Sequence, residues 1–400
     1  MTPPTIKKII SVPGFKFSGI SAGIKKGGKR DLAVIYSEKE ASAAGVFTTN
    51  SIKASPVQLD IKRIASKKGR AIIVNSGNAN ACTGSNGLRD AKKMSEITAG
   101  ELGISSDLVY VSSTGIIGRP MPMSNIIKGI PRAVKKLSPY SMHDTACAIM
   151  TTDTFPKLVC RKLKLGRQTG IVAGIAKGSG MICPDMATML CFIFSDIAIN
   201  PDALDKALKE SVKKSFNRLT IDNEMSTNDT VIALANGVSG NSLITGRSPS
   251  YNKFSALLNE VTYELSTMIA LDGEGATKLI NVVVNGAVSE RDAERAARSI
   301  AGSPLVKTAI YGRDPNWGRI IAAAGYSGSK IVEKKMDISI NACKVVSKGL
   351  GTGSETAARK ALSKKEVIIT VNLGIGRGSA SVMTCDLTEE YVKINSAYST

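Results

Sequence analysis

The stretch AKGSGMICPDMATMLCFIFSD, residues 176–196, sets a hydroxyl residue, Thr188, between a glycine-rich loop and an apolar run. Gly178 and Gly180 permit backbone angles closed to other residues. Pro184 stiffens the loop and restrains Cys183 before it. Ala187 is small and leaves room for attack on its own carbonyl. The Thr188 hydroxyl can attack that carbonyl, take the acyl group as an ester and be released by water. Thr188 then begins a new chain, with a free α-amine beside its hydroxyl. Such an amine has a reference pKa of about 7.7–8.0. An appreciable fraction is neutral at physiological pH and can serve as the hydroxyl's own base. The local pattern also allows a plainer reading, a β-branched residue at a strand edge.

Composition limits the alternatives. The chain has one histidine, His143, in SPYSMHDTACAIM, which reads as a helix with a structural histidine. A Ser-His-Asp or Cys-His relay would have only that imidazole to use. A histidine-type metal site is excluded by the same count, and the seven cysteines contain no C-x-x-C pair of zinc spacing. They read as unbridged, buried thiols of a reducing compartment. No metal and no organic cofactor is expected. The net charge of +20 raises nucleic-acid binding, but only 4% of residues are aromatic, so base-stacking platforms are scarce. Much of the charge fits solvated helix faces. In NPDALDKALKESVKKSFNRL, Leu204, Leu208, Val212, Phe216 and Leu219 form one stripe, and Lys206, Lys209, Lys213 and Lys214 lie mostly off it. No nucleic-acid partner is expected. Attraction of a small acidic substrate fits the charge.

The elements that must position Thr188 are those of a layered α/β protein. At 400 residues the chain can bury a large core. Strand-like runs before and around the motif are DLAVIYS, AIIVNSG, LVYVSSTG, GIVAGIA and TMLCFIFSDIAI. After it come TVIALANG, INVVVNGAV, KTAIYG, RIIAAAGYS, DISINAC, EVIITVNLG and SASVMTCDL. A helix should start at the Asn200 cap with Pro201 behind it. Another covers YNKFSALLNEVTYELSTMIA and stops at Gly273, expected as a left-handed cap. Further helices are expected in NGLRDAKKMSEITAGEL, SERDAERAARSIA and SETAARKALS. The irregular alternation favours mixed sheets over a doubly wound Rossmann fold. No P-loop pattern occurs. GIGRGSAS lacks the dinucleotide spacing, and GEGATK is too short to indicate phosphate. The apolar run Met189–Phe194 is far too short to span a membrane, and MTPPTIKKIISVPGF has no stretch of signal-peptide length. The expectation is a cytoplasmic protein without a membrane partner.

Several longer motifs occur together with KGSGMICPDMATML. They are NSGNANACTG at Asn75, SSTGIIG at Ser112, MTTDTFPK at Met150, MSTNDT at Met225, LDGEGATK at Leu271, DPNWGR at Asp314 and the ending INSAYST. In this order, and over essentially the whole chain, they resemble the ornithine acetyltransferase family, also called glutamate N-acetyltransferase. The resemblance implies an arginine-precursor enzyme that moves acetyl from N-acetylornithine to glutamate. Some members also take acetyl-CoA as donor. It implies a cut between Ala187 and Thr188, giving an alpha chain 1–187 and a beta chain 188–400 that form one catalytic unit. The implied fold is a layered α/β/β/α sandwich with mixed central sheets, and the implied assembly is a heterotetramer of two alpha and two beta chains. By motif, Thr188 is the nucleophile and Thr114 and Gly115 form the oxyanion hole. Thr151, Lys177, Glu274, Asn395 and Thr400, with Thr188, match the substrate-binding positions. A cation and a carboxylate suit substrates that carry a carboxylate and an ammonium. DPNWGR and NSGNANACTG suggest shaped loops near the site. The alternative with the same nucleophile is an N-terminal-threonine amidohydrolase or aminopeptidase.

Overall fold

The computed structural model describes residues 11–183 and 189–397. Its first sheet contains β1 (Phe15–Ile20), β2 (Leu32–Phe47), β3 (Lys68–Asn78), β4 (Val109–Ile116), β5 (Lys157–Leu165), β6 (Gln168–Lys177), β7 (Leu190–Ser195) and β8 (Thr230–Ala235). They run in the order β4-β3-β2-β8-β7-β6-β5, with β1 added on β2. The second sheet contains β9 (Leu279–Ala287), β10 (Asp337–Ile340), β11 (Cys343–Ser347), β12 (Leu350–Gly351), β13 (Glu366–Asn372) and β14 (Gly378–Cys385), in the order β12-β11-β10-β13-β9-β14. Both sheets are mixed. The pairs β3–β4, β7–β8 and β9–β13 are parallel and their other pairs antiparallel. The helices are α1 (Ser55–Arg63), α2 (Gly84–Leu102), α3 (Met123–Lys135), α4 (Met142–Ile149), α5 (Pro201–Lys214), α6 (Pro249–Leu271), α7 (Glu290–Gly302), α8 (Pro304–Tyr311), α9 (Trp317–Gly325), α10 (Glu355–Ala361) and α11 (Glu389–Ala397). This is the layered α/β architecture with mixed sheets expected from the sequence.

The apolar run after Thr188 becomes β7, and every residue of β7 and β8 is buried. Strands covered on both faces need such continuous apolar sequence. On one face Phe15, Phe17, Phe192 and Phe194 pack with Met142 and Ala146 of α4. On the other, Cys191 and Ile193 pack with Leu204 and Leu208 of α5 and Leu258 and Val261 of α6. Asn200 caps α5 by accepting the Asp202 N–H at 2.9 Å, as its position before Pro201 suggests. Lys206, Lys209, Lys213 and Lys214 are exposed, so this part of the charge is a solvated helix face. The two sheets meet where Leu219 bridges Met383 of β14 and the Thr220 N–H donates to the Met383 carbonyl at 3.0 Å.

Two expected strands are helices. KTAIYG belongs to α8 and RIIAAAGYS to α9. Their isoleucines suggest strands, but the Ser303 hydroxyl and the Asn316 amide oxygen accept the N–H groups of Val306 and Arg319 at 3.3 Å each. These caps and the run Ala322–Ala324 favour helix. Gly273 is not the left-handed cap either. The left-handed residue is Gly275, with φ +70°, while a Cβ on Gly273 would lie 2.7 Å from the Cys385 sulfur. β1, β5, β11, β12, α1, α3 and α11 have no counterpart among the expected elements. No disulfide joins any of the seven cysteines, and only Cys191 and Cys385 are buried, because the others sit on sheet edges, loops and helix surfaces. No helix among the described residues is long and apolar enough to cross a membrane.

Candidate active site

Parallel β3 and β4 end side by side, and at their ends Gly77 pairs with Gly115. Gly115 has φ +134°, and a Cβ there would lie 2.4 Å from the Gly77 carbonyl carbon, so only glycine fits. Thr114 beside it is 4% exposed. The asparagines of NSGNANACTG hold this edge. The Asn75 amide donates to the Asn78 carbonyl at 2.9 Å, and the Asn78 amide donates to the Pro120 carbonyl at 2.9 Å. Asn228 crosses from the start of β8 and donates to the Ala79 and Ser113 carbonyls at 2.6 and 2.8 Å.

A cavity of about 100 Å³ opens at this edge. Thr114, Gly115, Thr151, Lys177, Glu274 and Asn395 all line it, so six of the positions singled out in the sequence converge from five separate segments of the chain. Lys177 is the last residue of β6 and pairs with Leu190 of antiparallel β7. Its ammonium donates to the Thr151 hydroxyl at 2.8 Å and lies 3.9 Å from Asp153. Burial lowers the Lys177 pKa, and Asp153 opposes that fall. Glu274 follows α6, and its N–H donates to the Ser179 carbonyl at 2.8 Å. Its carboxylate accepts from the Asn395 amide of α11 at 2.8 Å. A Cβ on Gly180 would sit 2.5 Å from that carboxylate, so this glycine lets Glu274 close over the loop. Ala187, Thr188 and Thr400 lie outside the described residues.

Three features escaped the sequence reading. The first is a buried ion network under the cavity. The Lys157 ammonium donates to Asp153 at 2.7 Å and to Asp272 at 2.5 Å, with all three side chains at most 2% exposed. Asp153 also accepts the Gly178 and Thr151 N–H groups at 2.7 and 2.9 Å. Burial by itself would raise the Asp153 pKa, but Lys157 and Lys177 outweigh it and hold the carboxyl well below the usual range. The second is Asp229. Burial pushes its pKa up, against hydrogen bonds from Met189 and Thr48, and one oxygen accepts the N–H of Met189, the residue after Thr188, at 3.0 Å. The third is Ser226, which lines the cavity two residues before Asn228. MSTNDT held the signal for the last two, as a polar run before a fully apolar strand. DPNWGR, by contrast, does not line the cavity. It starts α9, where the Trp317 ring takes the space a Cβ on Gly351 would need. His143 is exposed on α4, with Nδ1 3.8 Å from the Cys147 sulfur, away from the cavity lining.

Chemically, the cavity lining combines a hydroxyl and a glycine backbone with a cation and a carboxylate. The first pair can donate to a developing alkoxide. The second pair can hold opposite ends of an amino acid.

A sequence model of the ArgJ family matches residues 16–400. The arginine biosynthesis bifunctional protein ArgJ of Geobacter sulfurreducens is 48% identical over 393 residues, covering 98% of this chain and 100% of that protein. The arginine biosynthesis bifunctional protein ArgJ 1 of Clostridium acetobutylicum is 50% identical over 397 residues, covering 98% of this chain and 97% of its own. The crystal structure of arginine biosynthesis bifunctional protein ArgJ from Bacillus halodurans is 43% identical and has a TM-score of 0.51, covering 52% of this chain and 98% of its own.

Proposed function

The chain belongs to the ArgJ family of arginine-biosynthesis enzymes, and from that premise we propose that it transfers acetyl from N-acetylornithine to glutamate through Thr188. The observation that carries this reading is the cavity itself, in which Thr114 and Gly115 face a site that also holds Lys177 and Glu274. Cleavage between Ala187 and Thr188 frees the α-amine of Thr188. That amine, when neutral, takes the hydroxyl proton as the oxygen attacks the acetyl carbonyl. Thr114 and the Gly115 N–H hold the oxyanion. The C–N bond breaks, ornithine leaves with the proton, and acetyl remains on Thr188 as an ester. The glutamate amine then attacks the ester and departs as N-acetylglutamate, returning the proton to Thr188. Acetyl-CoA serves as an alternative donor in the first step. Lys177 takes the substrate carboxylate, Glu274 takes the ornithine ammonium with Asn395 positioning it, and Thr151 orients Lys177. Thr400 completes the substrate site from the chain end.

The cut gives chains 1–187 and 188–400, which we assign to a cytoplasmic heterotetramer of two copies of each. A relative's solved chain that spans 98% of itself on 52% of this one is about the length such a cut would leave. β2 pairs with β8 and β6 with β7, so the first sheet draws on both chains and holds them together.

The test is product analysis with N-acetylornithine and glutamate. Ornithine and N-acetylglutamate should form in equal amounts. Acetate forming in the presence of glutamate would instead indicate an amidohydrolase. A Thr114→Val variant loses one oxyanion donor and should lose about 10²–10³ in kcat, with KM little changed. A Lys177→Met variant should raise KM for both substrates by about 10–100-fold, as loss of a charged hydrogen bond does. Unchanged KM values would remove the carboxylate role from Lys177.

A further inference from the structure

A second cavity, of about 380 Å³, lies beside the first and shares Thr151 with it. Lys25, Lys26, Lys29 and Arg119 line it, and among the described residues no acidic side chain does. Lys26 and Lys29 are exposed and form no ion pair among the described residues. Lys25 reaches inward and donates to the Met150 carbonyl at 3.0 Å, and burial lowers its pKa to about 8. Asp31, the acid closest in sequence, does not line it; its carboxylate accepts the N–H groups of Ala22, Ile24 and Lys25 at 2.6, 2.6 and 2.9 Å, and its charge offsets only part of the effect of burial on Lys25. Arg30 pairs elsewhere, with Asp144 at 3.0 Å.

Two touching glycines connect this basic cavity to the oxyanion donors. A Cβ on Gly77 would lie 2.9 Å from Lys25 Cγ, and a Cβ on Gly115 would lie 2.4 Å from the carbonyl carbon of Gly77. Like charges around a cavity repel, and a ligand of high negative charge relieves them. One carboxylate carries a single charge and already has Lys177 in the transfer cavity. Four cations suit phosphate groups, which Lys and Arg bind well.

We propose that the cavity of Lys25, Lys26, Lys29 and Arg119 binds the phosphates of a nucleotide-bearing acyl thioester whose acetyl end reaches Thr114 and Gly115. The inference rests on acetyl transfer through Thr188. In that step the Thr188 oxygen forms a bond to the acetyl carbon and the C–S bond breaks. The hydroxyl proton passes through the α-amine to the sulfur, giving a thiol and acetyl-Thr188.

The experiment measures transfer to glutamate by the wild type and a Lys26→Glu/Lys29→Glu variant. The donors are acetyl-CoA, phosphate-free acetyl-pantetheine and N-acetylornithine. The variant should raise KM for acetyl-CoA at least about tenfold, the effect of losing one charged contact. KM for the other two donors should stay within about twofold of wild type. Inorganic pyrophosphate should compete with acetyl-CoA and not with N-acetylornithine. An unchanged acetyl-CoA KM, an equal rise for all three donors, or wild-type use of acetyl-pantetheine as readily as acetyl-CoA overturns the proposal. So does pyrophosphate that binds without competing with acetyl-CoA, which would make this a site for free phosphate. If N-acetylornithine is a donor and acetyl-CoA is not, the phosphate site falls and the transfer mechanism stands. If no donor works, the mechanism itself falls.

Discussion

A Thr188→Ala enzyme should remain a single full-length chain and lose essentially all acetyl transfer. Intact mass and a denaturing gel read the first effect, and N-acetylglutamate formation reads the second. The size of the loss separates a nucleophile from a helper. Removing an oxyanion donor costs about 10²–10³, whereas removing the attacking hydroxyl in an acyl-transfer enzyme costs on the order of 10⁶. Alanine removes both the hydroxyl that would cut the chain and the oxygen that would carry acetyl. An uncut variant that keeps wild-type activity would sink the mechanism, because the α-amine base exists only after cleavage.

The second large effect is on stability. An Asp153→Asn variant removes a carboxylate that lies 2.7 Å from the ammonium of Lys157 and 3.9 Å from that of Lys177. Both lysines are at most 3% exposed, so water cannot replace the lost charge. Breaking a buried pair from one side costs about 3–5 kcal/mol. Urea unfolding at neutral pH should show a loss of that order, alongside weakened substrate binding as Lys177 shifts. Since Lys157 and Lys177 hold the Asp153 pKa below its unfolded value, its stabilisation is present above the unfolded pKa. It is lost as pH falls through the folded one. The gap between wild type and variant should therefore be constant near neutrality and narrow only below about pH 4, where the unfolded carboxyl begins to titrate. A variant as stable as wild type at pH 7 would show that Asp272 alone neutralises Lys157.

What was legible in the sequence depended on how local its physics was. β7 could be read from a run of apolar residues, and α5 from one cap and one stripe. Thr114, Lys177 and Glu274 stood out as members of motifs, and their meeting in one cavity follows from strand pairings no single motif contains. The pair Lys157–Asp272 spans 115 residues, and Asn228 reaches carbonyls 115 and 149 residues away. No periodicity reports contacts of that range. α8 and α9 failed for a different reason. Their isoleucines outweighed the caps in a strand-seeking reading, although Ser303 and Asn316 were visible. The basic residues of GIKKGGKR carry no periodicity that reports a cavity, and only the fold sets the turn that holds them beside Gly77.

The first sheet interleaves strands from both sides of residue 187. β8 lies between β2 and β7, and β7 lies between β8 and β6. Asp153 and Lys157 precede that residue, and Asp272 follows it. Such a topology is assembled most readily while the strands share one covalent thread, because loop closure costs less than bringing two free chains together. The uncut polypeptide thus acts as its own folding template. In the proposed cut form, the native arrangement would lack the tether that made its assembly intramolecular. That form would owe its persistence to a slow exit from the folded state as much as to the depth of its minimum.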